Sequence, residues 1–271
     1  MRATGEGKDS MAETTKHEAW DPMQYLRFGD ERLRPALDML GRVPLAAPAR
    51  IVDLGCGPGN VTAILKQRFP AAAVTGLDGS AAMLAKARVV APDCDFVQGD
   101  FFTWVPEEKP DLIYSNAALH WVGEHAVLFS RLLSLLPPGG VLAVQMPAMH
   151  KEPLRTLPLT VMTSEPWAEH LRGVTSARNI LEPGEYWDMV RPRVSALDLW
   201  ETTYMHALTG ENAVGEWATG SSLRPFLDAL PIELRAPFRA AYDAEANKIY
   251  PRRADGITLL PFRRLFIVAR V

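Results

Sequence analysis

The stretch from Arg50 to Gly59, RIVDLGCGPG, limits this chain more than any other. A short apolar run, Ile51 and Val52, leads to Asp53 and Leu54 and then to glycines at 55, 57 and 59. Such a run reads as a buried parallel strand, and the glycines as a turn where backbone approaches a ligand without Cβ atoms in the way. Helical residues follow from Val61 to Phe69, so strand, turn and helix make the first half of a βαβ unit.

The pattern then repeats. Strands are expected at Ile51–Leu54, Ala73–Leu77, Asp95–Gln98, Leu112–Ser115 and Val141–Gln145, with helices near 60–69, 80–90 and 124–136. Alternation at this spacing predicts an α/β fold with a doubly wound, Rossmann-like parallel sheet and right-handed crossovers. Pro137-Pro138-Gly139-Gly140 stops the last of these helices and turns the chain into the fifth strand.

Around this core, the first 19 residues are polar and are expected to form a tail outside the fold, with Met11 a second candidate start. Asp21-Pro22 reads as a helix cap followed by proline at the first helical position. A second helix over about 30–40 would place Leu33, Leu37 and Leu40 on one face, so that residues 20–48 cover the core. Residues 148–193 and 207–255 read as helical cap segments around a core at 49–147. The last strands are expected at about 196–204 and 262–271, the final one antiparallel, within one domain over 20–271.

Composition narrows the ligand. With 48% hydrophobic and 23% charged residues and a net charge of -3, the chain is an ordinary globular protein with no global pull toward nucleic acid. No apolar run approaches the roughly 20 residues that span a bilayer, so no membrane partner is expected. Two cysteines, Cys56 and Cys94, fit neither a disulfide framework nor a zinc site and favour a reducing, cytoplasmic setting without a metal.

Ligands of such sheets lie beyond the carboxyl ends of the strands. There stand Asp53 and the glycine turn, then Asp78, then Asp100, then Ser115-Asn116-Ala117-Ala118-Leu119-His120-Trp121. Any one of these acids has a bland reading as a helix cap. Four polar endings together point to a cofactor. A dinucleotide fingerprint, G-x-G-x-x-G, requires glycine at 60, where this chain has Asn60, and a pyrophosphate would not welcome Asp53. Asp53 suits the ammonium of a methionine moiety. Asp78, 19 residues after Gly59, suits two ribose hydroxyls, and Asp100 with Phe101 suits an adenine.

The ordered set VDLGCGPGN, TGLDGSAAML, GDF, SNAALHWV and GGVLAVQMP resembles the class I S-adenosylmethionine-dependent methyltransferases across residues 50–147. Outside it, WDPMQYLRFGDERLRP at 20–35, LDLWETTYMHALTG at 197–210, SSLRPFL at 221–227 and FRRLFIVAR at 262–270 are similar to the trans-aconitate 2-methyltransferase family. The resemblance implies transfer of a methyl group from S-adenosylmethionine to one carboxylate of a small polycarboxylic acid, leaving S-adenosylhomocysteine. It places the cofactor on Asp53, Gly55, Cys56, Gly57, Asp78, Gly79, Met83, Asp100, Phe101 and Asn116. The chain departs from the family's usual pattern at Ala148-Met149 and at Pro153-Leu154-Arg155, where a substrate pocket would be built.

A carboxylate is ionised at neutral pH, so its methylation needs positioning and exclusion of water rather than a general base. No single catalytic residue is expected. A polyanionic acid instead asks for arginines and hydrogen-bond donors. The candidates are His120, Tyr204, His206, Trp217, Arg224, Arg263 and Arg34, each with an ordinary structural alternative. Arg263 and Arg264 must point to opposite faces of one strand, so at most one of them meets the pocket. Two other readings stay open: a methyl acceptor that is a hydroxyl, amine or carbon acid, suggested by Ala148 and Met149, and a binder of the cofactor without turnover. Whether the protein is a monomer or a homodimer is not written in these residues.

Overall fold

The computed structural model describes residues 29–175 and 179–271. The expected tail, the helix start at Asp21-Pro22 and the side chain of Arg32 lie outside the described residues. Seven strands form one sheet in the order β3-β2-β1-β4-β5-β7-β6: β1 (Arg50–Leu54), β2 (Ala73–Asp78), β3 (Asp95–Gln98), β4 (Leu112–Asn116), β5 (Val141–Pro147), β6 (Ala196–Thr209) and β7 (Ile257–Arg270). All neighbouring pairs are parallel except those of β7, which runs antiparallel to both β5 and β6. The expected doubly wound sheet with an antiparallel last strand is therefore present, with β7 inserted between β5 and the edge strand β6.

Helices cover both faces. α1 (Gly29–Leu40), α2 (Asn60–Arg68) and α3 (Ala81–Val90) lie on one side, where Met39 and Leu65 pack with Ile51, Tyr114 and Phe266. On the other side, α4 (His125–Ser134) sets Leu128, Phe129 and Leu132 against Ile113, Val144 and Ile267. Strand order fixes this split, because right-handed crossovers to the left and right of β1 must pass over opposite faces.

Two expectations are corrected. In α1 the buried stripe is Ala36 and Met39, while Leu37 is 50% exposed. The Tyr114 hydroxyl donates to the Ala36 carbonyl and docks that stripe on the sheet, an anchor that counting leucines cannot find. The last two strands are also longer than expected, pairing from Ala196↔Arg270 to Thr209↔Ile257. β5 accompanies β7 only over Arg264–Arg270, so Thr203–Thr209 and Ile257–Arg263 project beyond the sheet as a two-stranded ribbon. Pro261 is tolerated in β7 because β5 has already ended at its level.

The ribbon carries a second core. α5 (Pro153–Val161), α7 (Ala213–Thr219), α8 (Arg224–Ala229) and α9 (Ile232–Ile249) gather Leu157, Trp217, Phe226 and Phe238 around Leu208, Leu260 and Phe262 of the ribbon. α6 (Pro183–Val190) instead returns to the sheet, where Tyr186 packs on Phe129. A cap thus stands at the carboxyl ends of the parallel strands.

Candidate cofactor and substrate site

The glycine turn is built as a cradle. Gly55 has φ 78°, and a Cβ there would lie 2.3 Å from the Ala118 Cβ and 3.2 Å from the Phe101 ring, so this backbone lies directly under the loop after β4. Gly59, at φ 87°, rests on α3: a Cβ would meet the Ala87 Cα at 2.9 Å. The third glycine therefore brings α2 and α3 together, while beside Gly57 the space is open.

The acids hold this cradle. Asp78 accepts the Gly57 amide at 2.9 Å on one carboxylate oxygen and the Ser80 amide at 2.8 Å on the other. Each oxygen keeps a second lone pair for a ligand hydroxyl. Ser80 caps α3 by accepting the Met83 amide at 3.4 Å, with Gly79 between the two contacts. Asp53 is 1% exposed and accepts a 2.6 Å bond from Thr62 of α2, a partner the sequence did not announce. Burial pushes its carboxyl up to about 7; the Thr62 bond opposes this and the charge of Asp78 adds to it. Burial, with these two carboxylates, also pushes the Cys56 thiol far up, so Cys56 is a neutral wall of the turn.

Asp100 lies exposed after β3, where it accepts the Phe102 amide at 2.8 Å. That turn lays Phe101 against Gly55. Asn116 ends β4 beside Gln145 of β5, its register partner. Among the described residues, the Asn116 Oδ1 and both amide atoms of Gln145 are buried without hydrogen-bond partners. Gln145, fully buried, is a residue that sequence reasoning missed, since it sits inside an otherwise apolar strand. The next residue, Ala117, has φ 54°, a strained value for alanine, and its amide bonds to the Gln145 carbonyl at 2.9 Å.

The loop after β4 is held from below. His125 Nε2 donates to the carbonyls of Leu119 and Val122 at 3.0 and 3.1 Å, and its Nδ1 accepts from the Tyr186 hydroxyl at 2.5 Å. Burial lowers its pKa, in keeping with this neutral tautomer. His120, 5% exposed, stands in this loop beside the half-exposed Trp121.

These residues fit S-adenosylmethionine. An open space beside Gly57, the carboxylates of Asp53 and Asp78 with no ion pair among the described residues, and unpartnered amide atoms on Asn116 and Gln145 are the needs that a cationic nucleoside with an ammonium and hydroxyls would meet.

The candidate acid-binding residues divide. Tyr204 and His206 share one face of β6, as expected, and with Arg264 they stand on the face that carries Asn116 and Gln145. The Tyr204 hydroxyl donates to Asp38 of α1 at 2.8 Å, and Arg34 lies over its ring at 5.5 Å. His206 stacks on Trp217 with centroids 4.8 Å apart. Arg263 is held by Glu152 at 3.0 Å and by the Ala148 carbonyl at 3.2 Å, whereas Arg264 is the buried member of the pair, 4% exposed. Alternation identified two faces without saying which is covered. Arg224 opens α8 and is paired with Asp228 of the same helix at 3.4 Å. Arg34 is largely solvated and lies 4.0 Å from Asp38.

Residues 51–140 match a family model described as a methyltransferase domain. Over 253 residues the chain is 47% identical to the trans-aconitate 2-methyltransferase of Variovorax paradoxus (strain S110), covering 93% of this chain and 98% of that protein. The enzyme of the same name from Methylobacterium nodulans is 50% identical, with the same coverage. Among solved structures, a putative methyltransferase from Bacillus halodurans is similar at TM-score 0.54 and 13% identity, covering 86% of this chain and 97% of that one. An S-adenosylmethionine dependent methyltransferase from Mesorhizobium loti is similar at TM-score 0.50 and 22% identity, covering 89% and 98%. At these identities the structural likeness bears on the fold alone. The sequence likeness is near full length, and the chain belongs to the trans-aconitate 2-methyltransferase family of class I S-adenosylmethionine-dependent methyltransferases.

Proposed function

We infer that the protein transfers the methyl group of S-adenosylmethionine to a carboxylate of trans-aconitate, giving a monomethyl ester and S-adenosylhomocysteine. The observation that carries this is the 45–50% identity to trans-aconitate 2-methyltransferases along almost their whole length. A cytoplasmic setting goes with it; among the described residues no helix is long and apolar enough to cross a membrane.

S-adenosylmethionine, when bound, supplies an electrophilic methyl group on a positively charged sulfur. Asp78 takes the ribose hydroxyls while it holds the Gly57 amide. Asp53 provides negative charge beneath the methionine end, and Asn116 and Gln145 offer their unused amide atoms at the ends of β4 and β5. Phe101 gives the adenine an apolar wall. The acceptor is already ionised, so the chain has no proton to remove. Its task is to hold a carboxylate oxygen in line with the methyl–sulfur bond and to keep water out, an alignment worth about 7–11 kcal/mol in favourable systems. Cap helices α5, α7, α8 and α9 exclude water, and Arg264, buried at the level of Pro147, brings positive charge to the acid.

The test is an acceptor panel. Trans-aconitate should yield S-adenosylhomocysteine and a singly methylated acid, and its trimethyl ester, which has no free carboxylate, should yield neither. Turnover with neutral hydroxyl or amine acceptors and none with trans-aconitate would favour the other acceptor class.

A further inference from the structure

We propose that Arg155 and the Tyr242 hydroxyl form a carboxylate subsite inside the cap, which holds a carboxylate of the acid other than the one being methylated. The proposal rests on the reading that the acceptor is a polycarboxylic acid.

Arg155 is the third residue of α5, a helix that begins shortly after β5 ends at Pro147, on the carboxyl side of the sheet. It is 7% exposed, its Nη1 is fully out of solvent, and among the described residues its guanidinium makes no hydrogen bond or ion pair. The carboxylates nearest along the chain on these elements are already committed. Glu152 binds Arg263 at 3.0 Å, and Asp243 binds Arg239 at 2.9 and 3.0 Å. Burial pulls the Arg155 pKa down to about 10, and the one titratable group that opposes this is Tyr242. Tyr242 is itself fully buried on α9, the helix that packs on α5, and among the described residues its hydroxyl has no hydrogen-bond partner.

A guanidinium buried without a counter-charge is among the least favourable placements a fold can carry. Leu154, Leu157 and Phe238, part of the same apolar core, show what would fill the position if packing were its only purpose. One carboxylate answers both needs: it accepts a forked pair of bonds from the guanidinium and a third from the phenol. One uncommitted cation matches one negative charge, which points to a carboxylate rather than a phosphate dianion. Because the site lies in the cap and not on the sheet, it engages a part of the acid away from the reacting oxygen.

Arg155→Met keeps the side chain long and removes its charge. With trans-aconitate it should raise KM by about 10- to 100-fold, the worth of a charge-assisted contact, while kcat changes by less than about threefold. Affinity for S-adenosylhomocysteine should not move, and turnover of crotonate, which has one carboxylate, should match wild type. The free variant should melt no lower than wild type, yet lose the rise in Tm that trans-aconitate gives wild type. A purely structural arginine behaves oppositely: a lower Tm of the free protein with KM and the ligand-induced rise retained, and that result overturns the subsite. Tyr242→Phe provides an independent arm, with a KM increase of about 3- to 10-fold expected and an unchanged KM counting against the proposal. Wild type turning over trans-aconitate while both variants keep its KM removes the subsite alone; wild type neither binding nor methylating trans-aconitate removes the acceptor assignment and the subsite with it.

Discussion

Asp78, at the end of β2, accepts the amide of Gly57 over 2.9 Å, so the carboxylate after the second strand shapes the turn after the first. A group that is to bind a ribose is thus fixed before any ligand arrives. Asp78→Ala should weaken S-adenosylhomocysteine binding by at least tenfold, through loss of both the ligand contacts and the turn's shape, and Asp78→Asn should fall between it and wild type. Isothermal titration measures both.

Gly59 allows no side chain, for two reasons that add. Its φ is 87°, and a Cβ would press on the Ala87 backbone at 2.9 Å. Gly59→Ala should cost about 2–4 kcal/mol, combining left-handed strain with overpacking between α2 and α3. Chemical denaturation reads this directly. Ala117 provides the converse: Ala117→Gly relieves a φ of 54° and should cost little or nothing in stability.

Asp53 gives the pH dependence. Its carboxyl titrates near 7 in the folded chain, above its ordinary value of 3.8. Between those two values the unfolded chain has released a proton that the folded chain keeps, so this group's contribution to stability is full below pH 3.8 and is lost as pH rises to about 7. Asp53→Asn should flatten that decline in a series of denaturation curves. A bound sulfonium or ammonium favours the ionised form, so S-adenosylmethionine affinity should rise from pH 6 to 8, with proton release visible as a dependence of the binding heat on the buffer.

Tyr204 ties the edge strand β6 to α1 through Asp38 at 2.8 Å. Tyr204→Phe should reduce stability by about 1 kcal/mol, the worth of one such bond, as a lower midpoint in urea. Turnover should fall further than cofactor binding, because α1 covers the face that carries Arg264, Gln145 and Asn116.

What could be read from the residues was whatever local chemistry dictates. The strand and turn at 50–59, the acids at 53, 78 and 100, and the run Pro137-Pro138-Gly139-Gly140 before β5 each specify structure within a few positions of themselves. Gln145 and Thr62 were hidden because a polar residue in an apolar strand or helix signals nothing until its neighbours across the sheet are known. The projecting ribbon of β6 and β7 is hidden in the sequence because a proline inside a strand, Pro261, is compatible with pairing only where β5 has stopped, at Pro147. Sequence does not show that Arg224 and Arg263 meet Asp228 and Glu152 while, among the described residues, Arg155 meets no carboxylate.

The most direct measurement follows the methyl group itself. With S-adenosylmethionine carrying a carbon-13 methyl and trans-aconitate as acceptor, nuclear magnetic resonance should show one labelled methyl ester signal growing in step with S-adenosylhomocysteine, one equivalent for one. S-adenosylhomocysteine accumulating without an ester, or the label appearing on oxygen, nitrogen or carbon of a neutral acceptor and not on trans-aconitate, would contradict it.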